Sequence, residues 1–203
     1  MTNKTYSGYR RVIIWCIALA GAVHGMLASE VSPRSIRAEV VVDASVQDVW
    51  RVWTTSSGAQ EFFAPKANIS LAIGGPYEIY FDPANEEKST KGMKLLSFAP
   101  NEMLSFGWTA PISLPKVREG RTWVVVQFRS EAGDKTRVIV SHYGWGEGPE
   151  WDVEHAHFVR GWNDLLGRLQ DRFRDGPIDW SQEFASPDEQ RKDGFSLKRR
   201  KAS

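Results

Sequence analysis

Between Trp151 and Phe173 an apolar stripe runs at helical spacing through Trp151, Phe158, Trp162, Leu165, Leu169 and Phe173. A helix of that length cannot bury such a stripe alone and needs an apolar surface to lie against. The segments before it supply one. Thr122, Val124, Val126 and Phe128 alternate with Trp123, Val125, Gln127 and Arg129, and Val138, Val140 and His142 alternate with Arg137, Ile139, Ser141 and Tyr143. Ala132-Gly133-Asp134 turns the chain between these two strands. Gly148-Pro149 opens the helix, with Glu150 and Asp152 at its positive end, and Asp175-Gly176-Pro177 closes it behind Arg172 and Arg174.

The same reading extends toward the N-terminus. Ser35 to Val42 is a predicted strand, broken by Asp43-Ala44-Ser45. Ser45 is placed to cap a helix carrying Val46, Val49, Trp50 and Trp53, with Asp48 in the capping-box position and Ser56-Ser57-Gly58 as the end. A short helical piece carries Phe62 and Phe63 and stops at Pro65. Ile69, Leu71 and Ile73 alternate as a strand, Gly74-Gly75-Pro76 turns, and Tyr77, Ile79 and Phe81 alternate again. Residues 83–91 and 110–120 are loops around strands at Lys94 to Phe98 and at Leu104, Phe106 and Trp108. The order specifies an α+β, helix-grip architecture: a curved antiparallel sheet of about seven strands wrapped around the long C-terminal helix, with a cavity between them.

The 203 residues suit one domain with two ends. The N-terminal end reads as an address. Lys4, Arg10 and Arg11 precede an apolar run from Val12 to Val23, followed by small residues up to Ala28. That run of about 12 residues is short of the roughly 20 that span a bilayer. Residues 1–28 are therefore read as a cleaved export signal to the periplasm or exterior, or, uncleaved, as a membrane anchor. The Arg10-Arg11 pair resembles a twin-arginine signal, and the competing reading sets the true start at Met26. Residues 178–203 form a polar tail ending in Lys198-Arg199-Arg200-Lys201, able to touch anionic lipid weakly at about 1 kcal/mol per cation.

Composition excludes several function classes. Cys16, the single cysteine, lies in the leader, so the folded part has no disulfide, thiolate catalyst or cysteine-bound zinc. The formal charge is +1; without the three leader cations, 23 basic residues face 25 acidic ones, and nothing favours nucleic acid. No nucleophile motif or phosphate-binding glycine loop is present, and neither a metal nor a cofactor is expected. His155 and His157 project about 200° apart and cannot share a metal. Glu147, Glu150, Asp152 and Glu154 mark the helix start, with a divalent ion as the less economical reading.

The inward set consists of Leu104, Phe106, Trp108, Val124, Val126, Val138, Val140 and His142 from strands, with His155 and Trp162 from the helix. As a cavity lining it is apolar with one or two polar anchors. Trp108, Trp145 and Trp151 are candidates for the mouth, and core packing or a single structural hydrogen bond is the other reading for each polar or aromatic member.

A set of motifs carries a family resemblance. They are Ala44-Ser45-Val46 leading to Trp50, Gly74-Gly75-Pro76-Tyr77, Gly92, and Pro100-Asn101-Glu102-Met103-Leu104 with Trp108. Arg121-Thr122-Trp123-Val124, Thr136-Arg137-Val138, His142-Tyr143-Gly144-Trp145 and Gly161-Trp162 with Leu165, Leu166 and Leu169 follow in order. Over residues 36–174 the chain resembles the START-like, or SRPBCC, superfamily, within it the group named after the C-terminal domain of the activator of the heat-shock-protein-90 ATPase. The resemblance implies a helix grip with a seven-stranded sheet and no catalytic set common to the group. Where many members have a double tryptophan, this chain has Glu61-Phe62-Phe63, which bears on the cavity mouth. The expected function is binding of a small apolar molecule or lipid. The alternatives are a co-chaperone-like protein stimulating an ATPase, and an enzyme using His142 or His155 as acid or base. The leader yields a first prediction: the mature protein begins between Leu19 and Ser29. N-terminal sequencing of native material checks it, and a cytosolic chain beginning at Met1 would refute it.

Overall fold

The computed structural model describes residues 34–181; the leader and the tail beyond 181, with its basic run, lie outside them. The elements are β1 (Ile36–Val42), α1 (Val46–Thr54), α2 (Ser56–Ala59), β2 (Lys66–Ile69), β3 (Tyr77–Tyr80), β4 (Leu95–Ala99), β5 (Met103–Trp108), α3 (Pro115–Glu119), β6 (Thr122–Glu131), β7 (Lys135–Tyr143) and α4 (Pro149–Asp175). The family of expected elements is present, and the fold is α+β, an antiparallel sheet gripping a long C-terminal helix.

The seven strands are divided. Five form one sheet in the order β1-β7-β6-β5-β4, and β2 and β3 pair as a separate hairpin. The hairpin is tied to the β4 edge by a Pro76–Lys94 bridge and by the Leu95 N–H donating to the Gly75 carbonyl at 2.9 Å. Pro76 stands at a non-hydrogen-bonded position of this bridge, flanked by that bond and by the Tyr77 N–H on the Met93 carbonyl, so its missing N–H leaves no ladder bond unmade. The expected strand through Ile69, Leu71 and Ile73 ends at Ile69. Residues 70–76 form turns closed by the Ser70 N–H on the Pro76 carbonyl, and Ile73 is 75% exposed. Alternation of apolar residues there reflects no buried face.

Ser45 caps α1 as expected: its hydroxyl oxygen accepts from the Asp48 N–H at 3.2 Å and its proton goes to the Asp48 carboxylate at 2.7 Å. The helix ends at Thr55 rather than at Ser56-Ser57-Gly58, which begin α2. Thr55 serves both helices: its N–H closes α1 on the Arg51 carbonyl, and its hydroxyl caps α2 by accepting from the Gly58 N–H. A Cβ on Gly58 would stand 2.5 Å from the Val52 Cα, so only glycine permits this close corner. The loop at 110–120 contains an unexpected turn of helix, α3, opened by Pro115 and pinned by buried Val117.

Burial follows the alternation of β5, β6 and β7. Leu104, Phe106, Val124, Val126, Val138 and Val140 are wholly inside, and α4 covers them with Trp162, Leu165, Leu166 and Leu169. Aromatic side chains from α1 and the following turn fill the rest. Trp53 meets Phe62 and Phe63 at 5.2 and 5.7 Å, Trp50 meets Phe128 edge-on at 5.4 Å, and Tyr77 stacks on Phe106 at 4.0 Å. Glu61 fastens this layer to α4. Its carboxylate accepts from Arg51 at 2.8 Å and from the Arg172 Nε at 2.6 Å, and chiefly the Arg51 hydrogen bond holds its pKa below the usual range. Trp162, midway along α4, contributes the largest helix side chain to the core. Trp162→Ala is expected to cost about 3–5 kcal/mol in chemical denaturation; a loss under about 1 kcal/mol would mean the indole is not a core element.

Candidate functional site

The hydrogen bonds of Trp162 determine what the centre of the domain can do. Its indole N–H donates to His142 Nδ1 at 3.0 Å, so that nitrogen carries no proton. The His142 proton sits on Nε2 and reaches the Thr122 hydroxyl at 2.8 Å. With both ring nitrogens engaged and the ring wholly buried, His142 is neutral; desolvation, with a smaller push from His155, lowers its pKa to about 3. This is a structural histidine joining β6, β7 and α4.

A cavity of about 530 Å³ lies beside that centre, bounded by α4, by the segment through Phe81 and Thr90, and by the segment from Thr109 to Arg118. Five aromatic rings line it: Phe63, Phe81, Trp108, Phe158 and Trp162. Trp108 is the hub, 5.9 Å from Phe63, 5.3 Å from Trp162, and edge-on to Phe81 and Phe158 at 6.3 and 6.2 Å. Its buried indole N–H has no hydrogen-bond partner. Phe81 and Ile112 form the lips, 42% and 48% exposed. Charged groups stand around the apolar interior, Glu87, Lys88, Arg118, Asp164 and Arg168, together with His157.

Of the ten residues expected to line a cavity, Trp108 and Trp162 do so. Leu104, Phe106, Val124, Val126, Val138 and Val140 are packed beneath it in the core, and His142 belongs to the network above. Trp50, Trp53, Phe62 and Phe63 fill core space with them, and the opening lies at the end of β5, around Trp108. His155 lies outside the cavity, beside Trp145 at 5.0 Å, with a buried Nε2 that has no partner. Burial and the Arg34 charge keep its pKa low. Trp145 donates to the His142 carbonyl and Trp151 packs on Gly120 and Gly146, so neither reaches the mouth. The histidine that does line the cavity is His157, which projects from the opposite side of α4 to His155. Phe63 lines it too, within the Glu61-Phe62-Phe63 motif expected to bear on the mouth.

Sequence reasoning missed Phe81, Ile112, Arg118 and Gly161 as cavity residues. Gly161 carried a signal: glycine inside a helix costs about 1 kcal/mol relative to alanine and calls for a reason. A Cβ there would meet nothing within 4 Å, so the missing side chain leaves space in the cavity wall.

The acidic residues at the start of α4 go to separate partners. Glu150 approaches Lys116 at 3.5 Å and Asp152 pairs with Arg34 at 2.7 Å. Among the described residues no group of three or more His, Cys, Asp or Glu is placed to hold a metal ion. Glu154 is 1% exposed, its Oε1 has no partner, and desolvation raises its pKa to about 7.

A family model described as activator of Hsp90 ATPase homolog 1-like protein matches residues 43–174. Solved structures share the fold. Protein MLL2253 from Mesorhizobium loti has a TM-score of 0.58 at 18% identity, covering 71% of this chain and 100% of that one. Protein BH1534 of Bacillus halodurans scores 0.55 at 23% identity, covering 69% and 96%. An Aha1 dimer from Colwellia psychrerythraea scores 0.54 at 18% identity, covering 70% and 98%. At these identities the likeness concerns fold alone. A search of curated proteins finds no match.

His142 and Glu154 act on stability with opposite signs. Between pH 6.5 and about 3 the unfolded chain binds a proton that buried His142 refuses. Its contribution is therefore complete above 6.5 and is lost as pH falls, by at most about 1.4 kcal/mol per pH unit. Glu154 holds a proton in the folded state between pH 4.5 and about 7, so its contribution is present below 4.5 and lost as pH rises through 7. Urea denaturation across this range should show a shallower acid limb in His142→Gln and a steeper one in Glu154→Gln. Curves parallel to wild type for both variants would refute the assignment.

Proposed function

This chain belongs to the activator of Hsp90 ATPase homolog 1-like family, a START-like fold group, and we propose that it holds a small, mainly apolar molecule in the aromatic cavity beside α4. The observation that carries the reading is a cavity of small-molecule size, about 530 Å³, whose wall is opened by a glycine at 161. Five rings give broad, flat apolar surface with a low entropic cost of ordering, which suits a planar or lipid-like body. If the leader directs export, this binding takes place outside the cytosol.

A second reading draws on the family's description and on the dimeric Aha1 neighbour: an interaction protein acting on a chaperone ATPase. That role needs an outer surface and no cavity, so filling the cavity separates the two. N-phenylnaphthylamine, a neutral apolar fluorophore, is expected to bind the folded protein with micromolar affinity, about −8 kcal/mol. Gly161→Phe should abolish that binding without lowering the unfolding midpoint, since the new ring enters open space and removes a helix-interior glycine. A wild type that binds no probe, or a variant that binds equally well, would sink the cavity reading and move the interaction reading ahead.

A further inference from the structure

We infer that the ligand is an amphipathic anion, its apolar body among the rings and its acidic group on Arg118. The inference rests on the cavity reading above and adds the charge of the ligand to it. The basic side chains of the cavity wall are not equivalent. Lys88 is neutralised by Asp82 at 3.0 Å, and the Arg168 guanidinium lies over the Trp180 ring at 5.5 Å. Arg118 is half-buried, and its side chain has a neutral partner: one terminal nitrogen donates to the Ala110 carbonyl. No carboxylate lies within ion-pair distance of it among the described residues.

That hydrogen bond does more than occupy a donor. It folds the arginine back across the segment that also carries Pro111 and Ile112, so the guanidinium is held at the wall instead of extending into water. A guanidinium has five N–H donors, and one bond to a carbonyl leaves a fork able to take both oxygens of a carboxylate or sulfonate. The wall also holds two carboxylates, Glu87 and Asp164, but both are exposed on the rim, where water and salt screen them. Arg118, half-buried and with no carboxylate at ion-pair distance among the described residues, therefore sets the local preference. An apolar body with one anionic end satisfies the rings and Arg118 together, whereas a neutral body leaves the arginine charge uncompensated.

The test uses two fluorophores that share one aryl amine skeleton. N-phenylnaphthylamine is neutral, and anilinonaphthalene sulfonate adds a single anionic group. In low salt the sulfonate should bind wild type about tenfold more tightly than the neutral probe, a difference of about 1.4 kcal/mol. Arg118→Gln should bring the two affinities to within about twofold of each other, and Arg118→Lys should retain part of the difference, because it keeps the charge and loses the fork. Gly161→Phe should abolish the sulfonate signal, which checks that it arises in the cavity; circular dichroism confirms the fold of every variant. Equal affinities in wild type, a sulfonate advantage that survives Arg118→Gln, or sulfonate binding that survives Gly161→Phe would each overturn the inference. If the neutral probe binds and the sulfonate has no advantage, only this inference falls; if neither binds, the cavity reading falls with it.

Discussion

The contact on which the domain depends is the hydrogen bond from the Trp162 indole to His142. It joins the middle of the long helix to the two central strands, and the Thr122 hydroxyl completes it from the neighbouring strand. A buried imidazole is costly unless both nitrogens are satisfied, and here a donor and an acceptor on two different elements satisfy them. The consequence is positional. Once the indole is held at that point, Leu165, Leu166 and Leu169 fall onto the inner face of the sheet, and the helix cannot slide along its axis without leaving His142 Nδ1 unpaired.

The aromatic layer from α1 and the turn after α2 then decides where open space remains. Trp50, Trp53, Phe62 and Phe63 seal the sheet face that a simple grip would leave open. What is left is a side cavity under Phe81 and Ile112, with Trp108 as its hub. Glu61 holds this arrangement by accepting from Arg51 on one side and Arg172 on the other, so the layer and the end of α4 are fastened together. Glu61-Phe62-Phe63 falls in this layer, and its second phenylalanine is part of the cavity wall.

Period alone exposed most of the fold. The alternation in Thr122–Arg129 and the stripe from Trp151 to Phe173 each correspond to one buried face, because side-chain direction in a strand or helix follows from local geometry. The same reasoning failed at Ile69, Leu71 and Ile73. Alternation there is interrupted by a turn through residues 70–75, with Gly74 at positive φ, and Ile73 is left exposed. It also placed Glu154 among helix-start acids, although the structure buries it on the covered side of α4 with one oxygen unpaired.

The sequence by itself determined the helix-grip order of elements, the inward face of each central strand and the family to which the chain is similar. These depend on neighbours a few residues apart. Only the tertiary structure decided which inward residues meet open space. Val126 and Trp108 are equally inward by alternation, yet the first is closed within the core while the second lines the cavity. The wall draws Phe63, Phe81, Ile112, Arg118 and Gly161 from segments far apart in the chain, and no local period encodes how their volumes add. Packing is a property of all the side chains in the space at once, so the site could be located only after every neighbour was in place.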